Sequence, residues 1–436
     1  MSGKKMKSLL DDLDECNKEL ERFTDKSERL VPYRKETKKT VTNPLSGVRS
    51  YAKALYSVLC LGTNCHGLHK AKLQLERRTA PPKGSQSLVS RDNADNPCFT
   101  ISFLVNRNGP YPNSPSIWQE TQIQVVAKET TPKPMPTPLP SHGRKTVGFR
   151  LPAPVPPTKS LVLPEIDLKN LQECKDLCSA ISKSQIKNPC LGFCLGPEGK
   201  LRGVYPVEKR ARSITGTIAL KDILTSASRS APTMLKMSRK ERMNLAVILA
   251  SSYLQLQATP WLKDTWSKED IVFDSDMKTT TIRPCNLEQP YISHEFRAIG
   301  PQNNSVPQMA NFKTSPLPGN PSLLSLGILL LELYTGQTFE QYSTQASLEN
   351  GPILNNYIQQ LRNLDLVSKW LVTEQEDLSA GYQSAVLHCI RSFFDPIKNT
   401  TDEAAFRQSI YDQVIVPLQE ELQSFLGEGQ RGRRVR

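Results

Sequence analysis

Leu9, Leu13, Cys16, Leu20 and Phe23 recur at alternating spacings of four and three, with Asp11, Asp12, Lys18 and Glu19 between them. That rhythm puts the apolar set on one face of a helix over 5–27. The run is shorter than the roughly three or four heptads that define a coiled coil, so it predicts an amphipathic helix packed on its own domain. A short partner-binding helix is the alternative. A second helical stretch, 46–60, runs through Tyr51, Leu55 and Leu59. From 66 to 127 the period drops to two, in His69–Glu76, Phe99–Val105 and Gln122–Val126. Turn-rich segments such as Asn106–Asn113 separate these runs, and together they predict a strand-rich module.

Residues 130–160 break all periodicity. Thr131–Pro140 and Leu151–Pro157 alternate proline with other residues, so they can neither pair as strand nor continue a helix. They predict an extended linker or insertion, with docking to an SH3- or WW-type domain as the sharper alternative. A helix is expected over 163–182, where Leu168, Leu171, Cys174 and Cys178 share a face behind the acidic Glu165 and Asp167. Two short strands, Cys190–Leu195 and Leu201–Tyr205, follow around a Gly-Pro-Glu-Gly turn, then a short helix near Leu220–Leu224.

Beyond 238 the pattern is helical. Ser238-Arg-Lys-Glu241 has the form of a capping box, and the helix it opens carries Leu245, Ile248, Leu249, Ser252 and Leu256 on one side. Residues 323–334 are apolar nearly all round, which predicts full burial. Further helices are expected at 352–372, 379–394 and 402–426. The last starts at a second capping box, Thr400–Glu403, and is kinked at Pro417. The basic tail after Gly427 is expected to be disordered.

The chain has 436 residues, 38% of them hydrophobic, and 33 prolines. That is room for about two to three domains, with a folded core and substantial linker. A formal charge of +13 suits nucleic acid or an anionic membrane surface, and equally a solvated basic face. No run approaches the ~20 apolar residues of a membrane span. The Met1 end lacks the apolar core of a secretory signal. These features predict a cytoplasmic protein whose ten cysteines are reduced thiols.

The segment Trp261–Phe273 has the length and rhythm of a protein-kinase catalytic loop entering its short strand, and Ser322–Gly336 resembles the buried central helix of that lobe. Leu177-Cys-Ser, Cys190-Leu-Gly-Phe, Leu245-Ala-Val-Ile-Leu-Ala, Asp270-Ile-Val-Phe, Pro290-Tyr-Ile, Ser325-Leu-Gly-Ile-Leu-Leu-Leu-Glu-Leu and Tyr411-Asp-x-Val-x-x-Pro-Leu resemble, in order, an uncharacterised fungal family. Its kinase-like domain is often found behind a helical segment of the prion-inhibition and propagation (HeLo-type) class. The resemblance spans about 60–427. It implies an α+β, bilobal protein-kinase-like fold with a small strand lobe and a larger helical lobe. The expected division is an N-terminal helical segment 1–60, a strand-rich region 61–207 holding the Pro-rich insertion 130–160, a helical region 208–427, and a tail 428–436.

Phosphoryl transfer needs a phosphate-cradling glycine loop, a base and metal ligands. The turn at 106–113 has one glycine and two prolines. With Ile271 aligned after the catalytic-loop Asn, Thr265 stands at the base and Asp270 at the Asn, and Thr265 cannot titrate near neutrality. Asp264 is adjacent but directed elsewhere in a kinase-like loop. The metal-binding Asp-Phe-Gly is expected near 280–285, where Thr281-Ile-Arg-Pro-Cys285 stands. Lys128, with Glu173 as its helix partner, is a faint match to the Val-Ala-Ile-Lys strand. Asp270 and Asp274 are candidate cation ligands, or simply hydrated carboxylates. No catalytic, cofactor or metal residue is therefore assigned.

Zinc requires four converging ligands. Cys60, Cys65, His66 and His69 lack a second separated pair, and Cys174, Cys178, Cys190 and Cys194 are equally explained as core. The chain thus reads as a non-catalytic pseudokinase-like scaffold that binds protein partners. Two alternatives remain open: a cell-death or self-recognition effector whose N-terminal helices contact membranes, and a basic nucleic-acid-binding protein.

Overall fold

Eight strands form one mixed sheet in the order β5-β4-β3-β2-β1-β8-β7-β6. The architecture comes from a computed structural model that describes residues 18, 42–62, 68–78, 97–105, 117–126, 171–184, 190–207, 214, 216–226, 237–275, 285–297, 319–345, 356–394 and 400–427. The strands are β1 (Leu68–Gln74), β2 (Cys98–Val105), β3 (Ile117–Val125), β4 (Cys190–Leu195), β5 (Leu201–Pro206), β6 (Gly216–Ala219), β7 (Ile271–Ser275) and β8 (Cys285–Arg297). All neighbours are antiparallel except β3 and β4, which run parallel. A parallel pair needs a crossover, and helix α2 (Leu177–Ser184) lies in it. The chain is therefore α+β, with three of its strands coming after residue 207.

The strand expectations at 69–76, 99–105, 190–195 and 201–205 hold, while β3 begins earlier than the alternation suggests. β8 was not legible as a strand, because Pro290 interrupts it. Proline has no N–H for the ladder. Here the register shifts beside it, at Phe273/Ser275, and its carbonyl accepts the Leu75 N–H at 2.8 Å.

One expectation is overturned: the helix over 163–182 does not form in its described part before Leu177. Residues 171–176 are extended and turned, with Glu173 bridging Arg202. The N–H groups of Cys174 and Gly203 bond to the carbonyls of Leu201 and Gln172. Those backbone bonds add an edge to the sheet that a helix could not supply.

Helix α1 (Thr42–Gly62) packs Ala52, Leu55 and Leu59, all fully buried, into the common core. After the short α3 (Leu220–Ser226), α4 (Arg239–Leu256) starts with the expected capping box: the Glu241 N–H donates to Ser238 Oγ and the Ser238 N–H to the Glu241 carboxylate. The sequence suggested one apolar side for α4, yet every residue from Leu245 to Leu256 is buried. It is enclosed because α1 and β8 pack on it together with α5 (Pro321–Thr335) and the last helix.

The remaining helices are α6 (Phe339–Gln345), α7 (Asn356–Thr373), α8 (Ala380–Arg391), α9 (Thr400–Ile410) and α10 (Val416–Leu426). Gly327 lets α5 and α8 approach closely, since a Cβ there would stand 3.1 Å from Cys389 Cβ. A π turn, Tyr411–Ile415, separates α9 from α10. It falls just ahead of Pro417, where the sequence predicts a kink and where the missing N–H interrupts the α ladder. Among the described residues no single helix is long and apolar enough to cross a membrane. The expected helix 5–27 apart from Lys18, the Pro-rich insertion 130–160 and the tail 428–436 lie outside the described residues.

Candidate functional site

Strand alternation sets Lys70, Lys72 and Gln74 on the sheet face opposite Ala71 and Leu73. Lys72 is paired in register with Ser102 on β2 and Ser293 on β8, and Ser102 is paired with Glu120 on β3. A polar row thus crosses the middle of the sheet. The Lys72 side chain is fully buried and forms an ion pair with Asp274 of β7, itself only 11% exposed. Its ammonium stands 4.1 Å from the Trp118 ring centre and 4.9 Å from that of Tyr291. Burial lowers the Lys72 pKa, opposed by Asp274 and, more weakly, Glu120.

A cation removed from water needs partners on every side, and here a carboxylate and two aromatic faces supply them. The arrangement leaves the amine closed rather than presented to a ligand. Of the two candidate cation ligands, Asp274 is committed to Lys72. Asp270 accepts from the Ser267 N–H at 3.0 Å and from Lys263 Nζ at 2.6 Å.

The loop joining α4 to β7 is fixed by the same kind of contact. Trp261 Nε1–H donates to the Ala52 carbonyl at 2.8 Å, tying the loop to α1. Trp266 Nε1–H donates to the Ser322 carbonyl at 2.9 Å, tying it to the start of α5. Lys268 is buried between Glu332 of α5, at 2.8 Å, and Glu340 of α6. Burial opposes its charge, but the two carboxylates hold its pKa above the ordinary lysine value. Thr265 and Asp264 are exposed at the loop surface.

On the opposite face of the sheet, Tyr56 of α1 and His294 of β8 share a 2.6 Å hydrogen bond inside a group of rings completed by Trp261 and Phe296. Burial lowers the His294 pKa, as does the Lys263 charge; Asp270 and Glu295 act the other way.

The other sequence candidates do not converge. Glu173 is not on a helix and forms an ion pair with Lys200 at 2.9 Å, while Lys128 lies outside the described residues. Cys60 ends up on α1 and His69 on β1, and Cys65 and His66 are outside the description. His69 Nε2 lies 3.7 Å from Cys178 Sγ, and Cys194 Sγ lies 3.9 Å from the Tyr205 hydroxyl. Among the described residues no three His, Cys, Asp or Glu side chains form a metal-sized group. Residues 281–284, where a metal-binding Asp was sought, are also outside it. Sequence reasoning missed Lys72. Its one signal was a lysine at the centre of an alternating strand, in phase with Lys70 and Gln74.

A family model described as a domain of unknown function (DUF7580) matches residues 42–425, and the chain belongs to that family. No curated protein and no solved structure matches it.

Three outcomes follow from this geometry. Asp274→Asn strands a buried cation and is expected to cost about 3–5 kcal/mol of stability. In urea unfolding, the loss in Lys72→Met/Asp274→Asn is expected to fall well short of the two single losses added together; strict additivity would contradict the pairing. His294 binds its proton less readily when folded than when unfolded. Stability is therefore complete above the unfolded value of 6.5 and falls as pH drops through it. Melting temperature followed from about pH 7.5 to about pH 5.5 is expected to decline, and to decline less in His294→Gln.

Proposed function

We propose that this member of the family is a non-catalytic, kinase-like protein of the cytoplasm, whose helical part is a rigid platform for protein partners. The kinase-like reading is supported by part of the order of elements along the chain: strands, a helix, further strands and a short helix, a long helix, a loop entering a short strand and, after β8, a buried helix. The observation that carries the non-catalytic reading is the use made of the 261–273 loop. Its indoles, Lys268 and Asp270 all hold the loop to α1, α5, α6 or itself. Phosphoryl transfer depends on groups positioned toward substrate and metal, and these groups are turned to internal support.

The family resemblance also raises a membrane effector acting through residues 1–60. For α1 that role would require the face formed by Ala52, Leu55 and Leu59, which is buried against α4 and the 261–273 loop. This favours the scaffold.

The test is incubation of the purified protein with magnesium and radiolabelled ATP, alone and with generic protein substrates. The expected result is no labelled product and no nucleotide-dependent rise in melting temperature. Phosphate transfer that disappears in Asp270→Ala while the fold persists would overturn the proposal.

A further inference from the structure

A cavity of about 150 Å³ lies where the first turn of α4 meets the end of α5, lined by Arg239, Arg242, Met243, Leu333, Tyr334 and Tyr382. Two arginines are thus part of its lining, and neither forms an ion pair among the described residues. Arg242 Nη1–H donates to the Tyr334 carbonyl at 2.7 Å, capping the end of α5, while its Nε–H is buried with no acceptor among the described residues. Gly336, at φ +72°, leaves the space that Arg242 occupies: a Cβ would lie 3.3 Å from Nη1. The exposed Arg239 guanidinium is 5.9 Å from the Tyr334 ring centre and 5.8 Å from that of Phe425, and makes no hydrogen bond among the described residues.

The hydroxyl protons of the lining are already taken. Tyr334 donates to the Asp377 carbonyl and Tyr382 to the Leu330 carbonyl, each through a short bond inside the helical part. Of the nearby carboxylates, Glu241 receives the Ser238 cap, whereas Glu421, whose charge acts on Tyr382, accepts from Ser379 through Oε1 and keeps Oε2 buried with no donor among the described residues. The unused capacity of the lining itself is thus donor N–H groups carrying positive charge, at the first turn of a helix whose dipole adds to that charge, while Glu421 behind Tyr382 opposes it. Guanidinium forks match oxyanions, and phosphate above all, through paired charge-assisted hydrogen bonds.

We propose that the Arg239–Arg242 cavity is a binding site for a phosphate-type oxyanion, either free or carried as a monoester on an aromatic side chain. The flanking Tyr334 and Phe425 rings suit the second source. The site is separate from the Lys72 row and from the 261–273 loop, so it stands whether or not the chain transfers phosphate.

The experiment is isothermal titration of the full chain with inorganic phosphate and with phenyl phosphate, beside sodium chloride at matched ionic strength. Saturable binding of at least one phosphate compound, weakened at least tenfold in Arg239→Gln, is expected. Arg239 is exposed, so this variant should keep the native melting temperature. Tighter binding of phenyl phosphate identifies the aromatic monoester as the source, and equal or tighter binding of phosphate identifies the free ion. Absence of saturable binding to both, or equal binding in Arg239→Gln, would overturn the proposal.

Discussion

The pairing of β1 with β8 is the constraint on which the rest of the protein depends. Seven consecutive residues of each strand are in register, joining Leu68–Gln74 to a segment more than two hundred residues later. Without that seam the sheet would separate into β5-β4-β3-β2-β1 and β8-β7-β6. Closing so long a loop costs entropy that grows only slowly with length, but local contacts cannot repay it in advance. The compensation lies in what the seam brings together. On one face, Lys72 meets Asp274, Trp118 and Tyr291. On the other, Tyr56, Trp261, His294 and Phe296 pack ring against ring.

The second face leads directly to the helices. Its rings rest against α1 and the 261–273 loop, and α4 lies between this layer and the helices that follow it. Complete burial of α4 from Leu245 to Leu256 is thus a consequence of position, since the sheet side and the bundle side both claim it. Gln255 extends the tie by donating to the Glu76 carbonyl at the end of β1. Lys268 then fastens the loop to Glu332 on α5. A buried ion pair contributes little net stability compared with apolar packing, yet it is costly to break on one side. Its effect is to allow one placement of the loop relative to the helix.

Much of this was legible in the sequence where the determinants are local. The Ser238–Glu241 capping box, the apolar run of α5 and the alternation in β1, β2 and the second half of β3 each predicted the right element. The parts that were missed depend on distant partners. Leu171 and Cys174 have helical spacing with Cys178, but residues 171–176 pair with the edge of the sheet beyond Leu201. Pro290 argues against a strand until the register shift beside it is known. Lys72 was missed because Asp274 is 202 residues away. Asp274 read as a hydrated or cation-binding carboxylate for the same reason, whereas the lysine paired with Asp270, Lys263, is only seven residues away in the same loop.

The most direct measurement is amide hydrogen exchange, resolved by peptide, across β1 and β8. If the seam holds the two parts of the sheet together, the amides of 70–74 and 291–296 exchange as slowly as those of the α4 core, and both strands lose protection in the same step as denaturant is added. Rapid exchange of both strands while α4 stays protected would contradict the account, since the sheet would then be two separate pieces.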